Sequence, residues 1–296
     1  MKRKRMIWVG FIALLIAALI PTCTLKDLRS EAFKTEGISS IRIAKGNLIL
    51  AECLKAQGLD SFARHATYEI EARDRWSKML GINPSPWPGE NGPWIRFRYA
   101  TGTFDSDAIW LEGGLQGQRY GIQSWQVYRA KEDGAVEKVK NKKMAFALPT
   151  MQYFMELPAR LATAPIIAFL EERTFNGQVY DVLFCTWGSP EPDPRYDQYL
   201  LYINRASKLC EMTTYTIRDN YLPAPRSFYG TARYWDFRDV NGAKIPFRMD
   251  VQAGDRSLEE KYVHRFEIRT FRFDAFASEV LYTIPGLQRM GDTKQE

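Results

Sequence analysis

Two apolar runs constrain this chain most, residues 179–187 (VYDVLFCTW) and 198–204 (QYLLYIN). Each has the length of a β-strand and lies beside turn residues, Asn176-Gly177 before the first and residues 205–207 after the second. A strand with one face in water alternates apolar with polar side chains, yet both runs are apolar on both faces. Each must therefore be covered on two sides or line a cavity on one. The chain is long enough to supply such cover. Its 296 residues are 45% hydrophobic and 14% aromatic, which excludes disordered, collagen-like and coiled-coil chains.

The rest of the sequence has the period of a β protein. Tyr68, Ile70, Ala72 and Trp76 alternate with Thr67, Glu69, Glu71 and Arg73, and Ile95, Phe97 and Tyr99 alternate with Arg96 and Arg98. Further strands are predicted over 109–112, 120–128 with Trp125 inside it, 164–174, 209–217, 227–237, 243–252 and 260–273. Counting the two apolar runs, that makes about eleven. Hairpin punctuation at Asn176-Gly177 and Asn241-Gly242 makes the arrangement an antiparallel meander. Residues 66–273 contain no linker-like break.

Helical spacing occurs twice. Residues 47–57 carry Leu48, Ala51 and Leu54 and end at Gly58, a helix-terminating residue. Residues 143–161 place Met144, Leu148, Met151, Phe154 and Met155 at helical intervals, and Pro149 and Pro158 predict short helices of two or three turns. Residues 23–44 show no strong period and read as a tether, leaving 45–296 as a single domain.

The net charge of +6 falls to +2 once the four leader cations Lys2, Arg3, Lys4 and Arg5 are set aside, so nucleic acid is not implied. Behind those cations, residues 6–20 (MIWVGFIALLIAALI) carry no charge. A basic start followed by an apolar stretch of this length is an export signal or N-terminal anchor over 1–22, and it is marginal as a permanent span. Cys23 stands where a bacterial lipoprotein would be acylated, although Ile20, Pro21 and Thr22 fit that pattern loosely. Both an acylated Cys23 and an ordinary cysteine near a cleavage site are open readings.

Catalytic signals are sparse. Two histidines, His65 and His264, lack metal-ligand spacing, and no Cys-x-x-Cys pair, G-x-S-x-G elbow or phosphate-cradling loop is present. No metal and no cofactor are expected. Asp105 with Asp107, or Glu191 with Asp193, could pair as acid and base, but their loop positions favour solvated turn residues. A hydrolase using these loop carboxylates is one alternative, and a structural or interaction protein of the cell envelope is another.

Residues 196–219 (YDQYLLYINRASKLCEMTTYTIRD) and 234–251 (YWDFRDVNGAKIPFRMDV) resemble the C-terminal half of LolA/LolB-like proteins, the outer-membrane lipoprotein-sorting superfamily. Residues 50–76 resemble the helix and first long strand that open that domain. The resemblance implies an α+β, mainly β fold, a half-open antiparallel β-barrel closed by short helices, in a periplasmic protein that holds acyl chains or other apolar ligands. The Pro-rich insert at 189–194 departs from the pattern, so lipoprotein trafficking in particular is not implied. The resulting expectation is a non-enzymatic binding protein of the cell envelope, attached to the bacterial membrane through its N-terminus if Cys23 is acylated or the leader uncleaved. The expected partner is a lipid or other apolar small molecule, with no nucleic acid. Cavity candidates are Tyr68, Ile70, Trp76, Phe97, Trp125, Tyr180, Phe184 and Tyr202, though most buried aromatics only pack. The unbranched Met144, Met151 and Met155 are candidates for a gate on the helical element.

Overall fold

The computed structural model describes residues 25–77, 84–131, 134–218, 225–255 and 261–287. The leader and Cys23 lie outside the described residues. Within them, thirteen strands form one antiparallel sheet: β1 (Thr67–Trp76), β2 (Ile95–Ala100), β3 (Ser106–Trp110), β4 (Arg119–Gln123), β5 (Gln126–Ala130), β6 (Val136–Lys138), β7 (Ile166–Phe175), β8 (Gln178–Thr186), β9 (Gln198–Asn204), β10 (Cys210–Thr216), β11 (Tyr229–Val240), β12 (Ala243–Ala253) and β13 (His264–Phe273). Their order is β6-β5-β4-β3-β2-β1-β13-β12-β11-β10-β9-β8-β7. Two meanders thus join where β1 pairs with β13, from Tyr68 opposite Phe273 to Trp76 opposite His264. The ends β6 and β7 do not pair, so the barrel is half open.

Thirteen strands replace the expected eleven for two local reasons. Residues 120–128 are a hairpin rather than one strand, because Ser124 and Trp125 take φ of 47° and 61° and turn the chain. Residues lacking the usual Asn-Gly signal gave no hint of that turn. The short β6 also went unpredicted, with Val136 its sole apolar residue. Between β6 and β7 the chain forms α4 (Lys142–Met155) and α5 (Leu157–Leu161), which lie against the inner face of the sheet. Pro149 does not end the helix as expected but sits inside the fourteen-residue α4. Its missing N–H cannot reach the Ala145 carbonyl, and both residues face a cleft.

Residues 25–38 do not behave as the expected tether. Ser30 caps α1 (Glu31–Glu36), accepting from the Phe33 N–H at 3.2 Å. Phe33 and Leu28 are buried on the outer face of β7 to β9 among Tyr180, Val182, Phe184, Leu200 and Tyr202. Burying one such side chain contributes about 1.5–3 kcal/mol. This second apolar layer explains why the 179–187 and 198–204 runs are apolar twice over. Their other faces, Leu183, Cys185, Tyr199, Leu201 and Ile203, belong to the main core.

The following helix, α2 (Ser40–Gln57), starts seven residues before the expected position, capped by the Ser39 hydroxyl at Arg42 N–H. It crosses β7 so closely that a Cβ on Gly46 would lie 2.8 Å from the Ala168 Cα. At its end Gly58 takes the left-handed conformation, and the one-turn α3 (Leu59–Phe62) leads into β1. The C-terminal segment covers the outer face at the opposite arm. There Arg119 donates to the Val280 carbonyl at 2.6 Å, and the Gln123 side chain holds the Ile284 N–H at 2.9 Å.

The three described cysteines, Cys53, Cys185 and Cys210, are free and buried. Cys185 sits opposite Tyr199 and Cys210 opposite Ile203, on the two sides of β9. Two strand spacings and a four-residue offset separate them by roughly 16 Å, too far for a disulfide. Burial pushes the thiols of Cys53 and Cys185 up to about 12. Native protein should therefore leave these three thiols unlabelled by maleimide at neutral pH, and denatured protein should label all three without reductant. A peptide linking Cys185 to Cys210 would contradict the strand order.

Candidate functional site

A cleft of about 500 Å³ opens where α4 meets the ends of both arms of the sheet. Helix α4 contributes Ala145, Phe146, Pro149, Thr150, Tyr153 and Phe154. The β2–β3 connection contributes Phe104, the β4–β5 turn Trp125, and the other arm Trp187, Tyr196, Tyr199 and Tyr215. Its size falls in the usual range for small-molecule sites, which are lined mainly by apolar and aromatic groups. Charge is present at residues 195–197 and at Arg218. Arg218 is tied down by the carbonyls of Lys26 at 2.8 Å and Arg226 at 3.1 Å.

Trp125 is held in this wall at a cost. A bulky side chain at φ 61° is unfavourable by order 1–3 kcal/mol and persists only where its surroundings fix it. Here Asp105 Oδ1 accepts from the Ser124 N–H at 2.9 Å, and the Trp125 ring sits 5.3 Å from that of Phe104. The turn thus directs an indole into the cleft.

A second, smaller cavity of about 90 Å³ lies on the other side of α4, lined by Trp76, Trp87, Ala147, Met151, Met249, Val251 and His264 among others. Phe146, Thr150, Phe154, Tyr215 and Ile217 line both. At one wall, Asp74 gathers three donors or partners: His264 Nδ1 at 2.8 Å, Trp76 Nε1 at 2.7 Å and Trp87 Nε1 at 2.8 Å. Trp76 stacks on His264 with rings 4.2 Å apart and 4° from parallel. This satisfied network fixes two indoles beside an apolar hollow.

The sequence candidates separate accordingly. Trp125 lines the larger cleft, and Trp76 and Met151 line the smaller. Tyr68, Ile70, Phe97, Met144 and Met155 are buried in the main core and line neither. Tyr180, Phe184 and Tyr202 are corrected: they face outward under α1, because in a strand apolar on both faces alternation does not reveal which face points in. Phe146, Tyr153, Trp187, Tyr196, Tyr199 and Tyr215 were missed. The seven-residue spacing of Phe146 and Tyr153 places them on one stripe of α4, a signal the sequence did carry.

Of the four loop carboxylates, Asp105 and Asp107 differ from expectation. Asp105 and Asp107 are fully buried rather than solvated. Asp107 is neutralised by Arg98 and Arg119, each at 2.6 Å, and Asp105 serves the Ser124 turn. Glu191 and Asp193 are in the 189–194 insert, where hydrogen bonds hold both carboxyls below the usual range, from Ser189 for Glu191 and from Arg195 for Asp193, the latter at about 2. Groups held ionised in this way are poor proton donors. Among the described residues, no cluster of three His, Cys, Asp or Glu could hold a metal ion, and no helix is long and apolar enough to cross a membrane.

No protein-family model matches the sequence, and no curated protein matches it. Solved structures do. An outer membrane lipoprotein-sorting protein domain from Vibrio parahaemolyticus superposes with a TM-score of 0.52 at 10% identity, over 81% of this chain and 97% of its own. A DUF1329 family protein from Desulfovibrio piger gives 0.50 at 10% identity, over 83% and 99%. A LolA superfamily protein from Nitrosomonas europaea gives 0.47 at 12% identity, over 80% and 96%. The thirteen-stranded half-open barrel, with helices over its inner face, shares its fold with the lipoprotein-sorting protein domain from Vibrio parahaemolyticus.

Proposed function

We propose that this chain is an exported, non-enzymatic binding protein of the cell envelope that holds a lipid or similar apolar molecule in the cleft beneath α4. The observation that carries the reading is the aromatic wall contributed jointly by α4, the Trp125 turn and β9–β10 around about 500 Å³. A cleft of this composition gains from removing apolar ligand surface from water, at about 25 cal/mol per Å². The basic, apolar leader supports export and attachment to the bacterial membrane through the N-terminus, with Cys23 as the acylation site. Of the three methionines proposed as a gate, Met151 borders the smaller cavity, which supports it over Met144 and Met155.

The test is mass spectrometry of organic extracts and of the intact protein after native purification from cells. The expected result is a stoichiometric apolar molecule in the extract, displaced by a fluorescent fatty acid, with an acyl mass on the N-terminal peptide carrying Cys23. Trp125→Ala should weaken the fatty-acid probe by roughly tenfold, the scale of losing about 50 Å² of apolar contact at about 25 cal/mol per Å². An empty extract together with no probe binding would overturn the ligand reading.

A further inference from the structure

The outer face of the sheet is covered at both arms, by residues 25–38 over β7 to β9 and by residues 276–287 beside β2 to β5. Between them, the outer face of β1, β13, β12 and β11 is met among the described residues at one edge, where the β1–β2 loop lays Gly92 against Arg75 and Trp94 against Arg73 and Arg269, and the rest of it stands open. Alternation puts charged side chains there, and cross-strand register lines them up. Trp235, Arg248, Glu267 and Arg73 form one row, and Arg233, Asp250, Arg265 and Arg75 the next.

The composition of this face is unequal. Four carboxylates are shared among seven arginines: Glu267 by Arg73 and Arg75, Glu71 by Arg96 and Arg269, Glu69 by Arg272 and Arg96, and Asp250 by Arg248 and Arg265. The two kinds of group also differ in height. Glu69 and Asp250 are 9% exposed, whereas Arg269 and Arg272 are 44% and 58% exposed. The carboxylates are recessed and the guanidiniums stand above them. Two indoles lie among them, Trp94 between Arg73 at 4.9 Å and Arg269 at 4.5 Å, and Trp235 between Arg233 at 3.9 Å and Arg248 at 5.6 Å.

We propose that this open arginine and tryptophan face docks the protein on an anionic phospholipid surface, the guanidiniums taking headgroup phosphates and the indoles lying at the interface. The argument is charge complementarity and shape of donor. Guanidinium forks match phosphate oxygens bidentately, and tryptophan prefers the boundary between apolar and wet layers. The excess of arginine does not depend on what fills the cleft, so this inference stands or falls separately from the proposed ligand.

The experiment uses the full-length chain and vesicles of phosphatidylcholine, alone or with one third phosphatidylglycerol. Binding to the anionic vesicles should exceed binding to neutral ones at low salt, and the difference should collapse at about 0.5 M salt. Each guanidinium at an anionic leaflet strengthens binding about fivefold, so Arg269→Gln with Arg272→Gln should weaken it roughly twenty-fivefold. Arg272→Gln alone, the mildest change because Glu69 keeps Arg96, should weaken it about fivefold. Neutralising Lys2, Arg3, Lys4 and Arg5 to Gln controls for the leader and should leave the effect of the face variants intact. The inference is overturned if Arg272→Gln and the double variant keep the full preference for phosphatidylglycerol. It is also overturned if the leader change alone abolishes that preference, or if polyglutamate binds the face while the anionic vesicles do not.

Discussion

Replacing Glu156 by alanine should lower the unfolding free energy by about 3–5 kcal/mol, the usual cost of leaving one charge of a buried pair alone. Glu156 and Arg160 sit one turn apart, each about 95% buried, with their charged atoms 2.7 Å apart. The carboxylate also accepts from the Tyr68 hydroxyl and the Gln152 amide, both at 3.0 Å. Arg160 reaches the Thr103 carbonyl at 2.7 Å and lies 4.2 Å over the Phe104 ring. The group therefore ties the α4–α5 junction to the loop that carries one wall of the cleft. Burial pushes the Glu156 carboxyl up, against the pull of Arg160, Gln152 and Tyr68, so desolvation outweighs the attraction of its partners. It follows that Glu156→Met with Arg160→Met should cost far less than either single change, since both charges leave the interior together. Urea unfolding of the singles and the double, read as a double-mutant cycle, checks this. A loss under about 1 kcal/mol for Glu156→Ala would mean that the pair is solvated in the native protein.

Much of this architecture was legible because strand period and turn chemistry are local properties. The 198–204 run is β9 to the residue, and Asn176-Gly177 and Asn241-Gly242 turn with the positive φ values their residue types allow. The resemblance at 196–219 and 234–251 falls on β9 to β12. What failed was non-local. Phe33 reads as an isolated aromatic in a tether until β7 to β9 present an apolar outer face for it to cover. Nothing in residues 120–128 announces a turn at Ser124-Trp125, because the energy that holds it comes from Asp105 and Phe104, about twenty residues earlier.

The site was less legible than the fold for a related reason. Period assigns residues to a face but not to the inside or outside, so Tyr180, Phe184 and Tyr202 looked as good as Tyr199. The cleft is assembled at the rim from loops and from one helix, where no period operates. Phe104, Trp187 and Tyr196 lie in connecting segments, and their convergence depends on how far each arm of the open sheet curls toward α4. Pro149 shows the same principle in reverse. Its local preference to end a helix is overridden by Leu148, Met151 and Met155, which bury the C-terminal half of α4 in the main core.

The wall between the two cavities gives the second large expected effect. Phe154 lines both, is 7% exposed, and meets Tyr215 edge to face at 4.8 Å. Phe154→Ala should join the hollows of about 500 and 90 Å³ into one and cost about 3 kcal/mol. That cost is the low end of the range for losing a buried phenyl ring, because one side of the ring already faces open volume. If the ring only fills the core, stability falls and nothing else changes. If the cleft binds an acyl chain, the merged cavity admits a longer one, and each added methylene it buries is worth about 0.8 kcal/mol, close to fourfold in affinity. A series of fluorescent fatty acids of increasing length, titrated into wild type and variant, separates these outcomes. The optimum should move to longer chains in Phe154→Ala while short-chain affinity holds. An unchanged length preference alongside the stability loss would leave Phe154 as core packing and confine the ligand to the larger cleft.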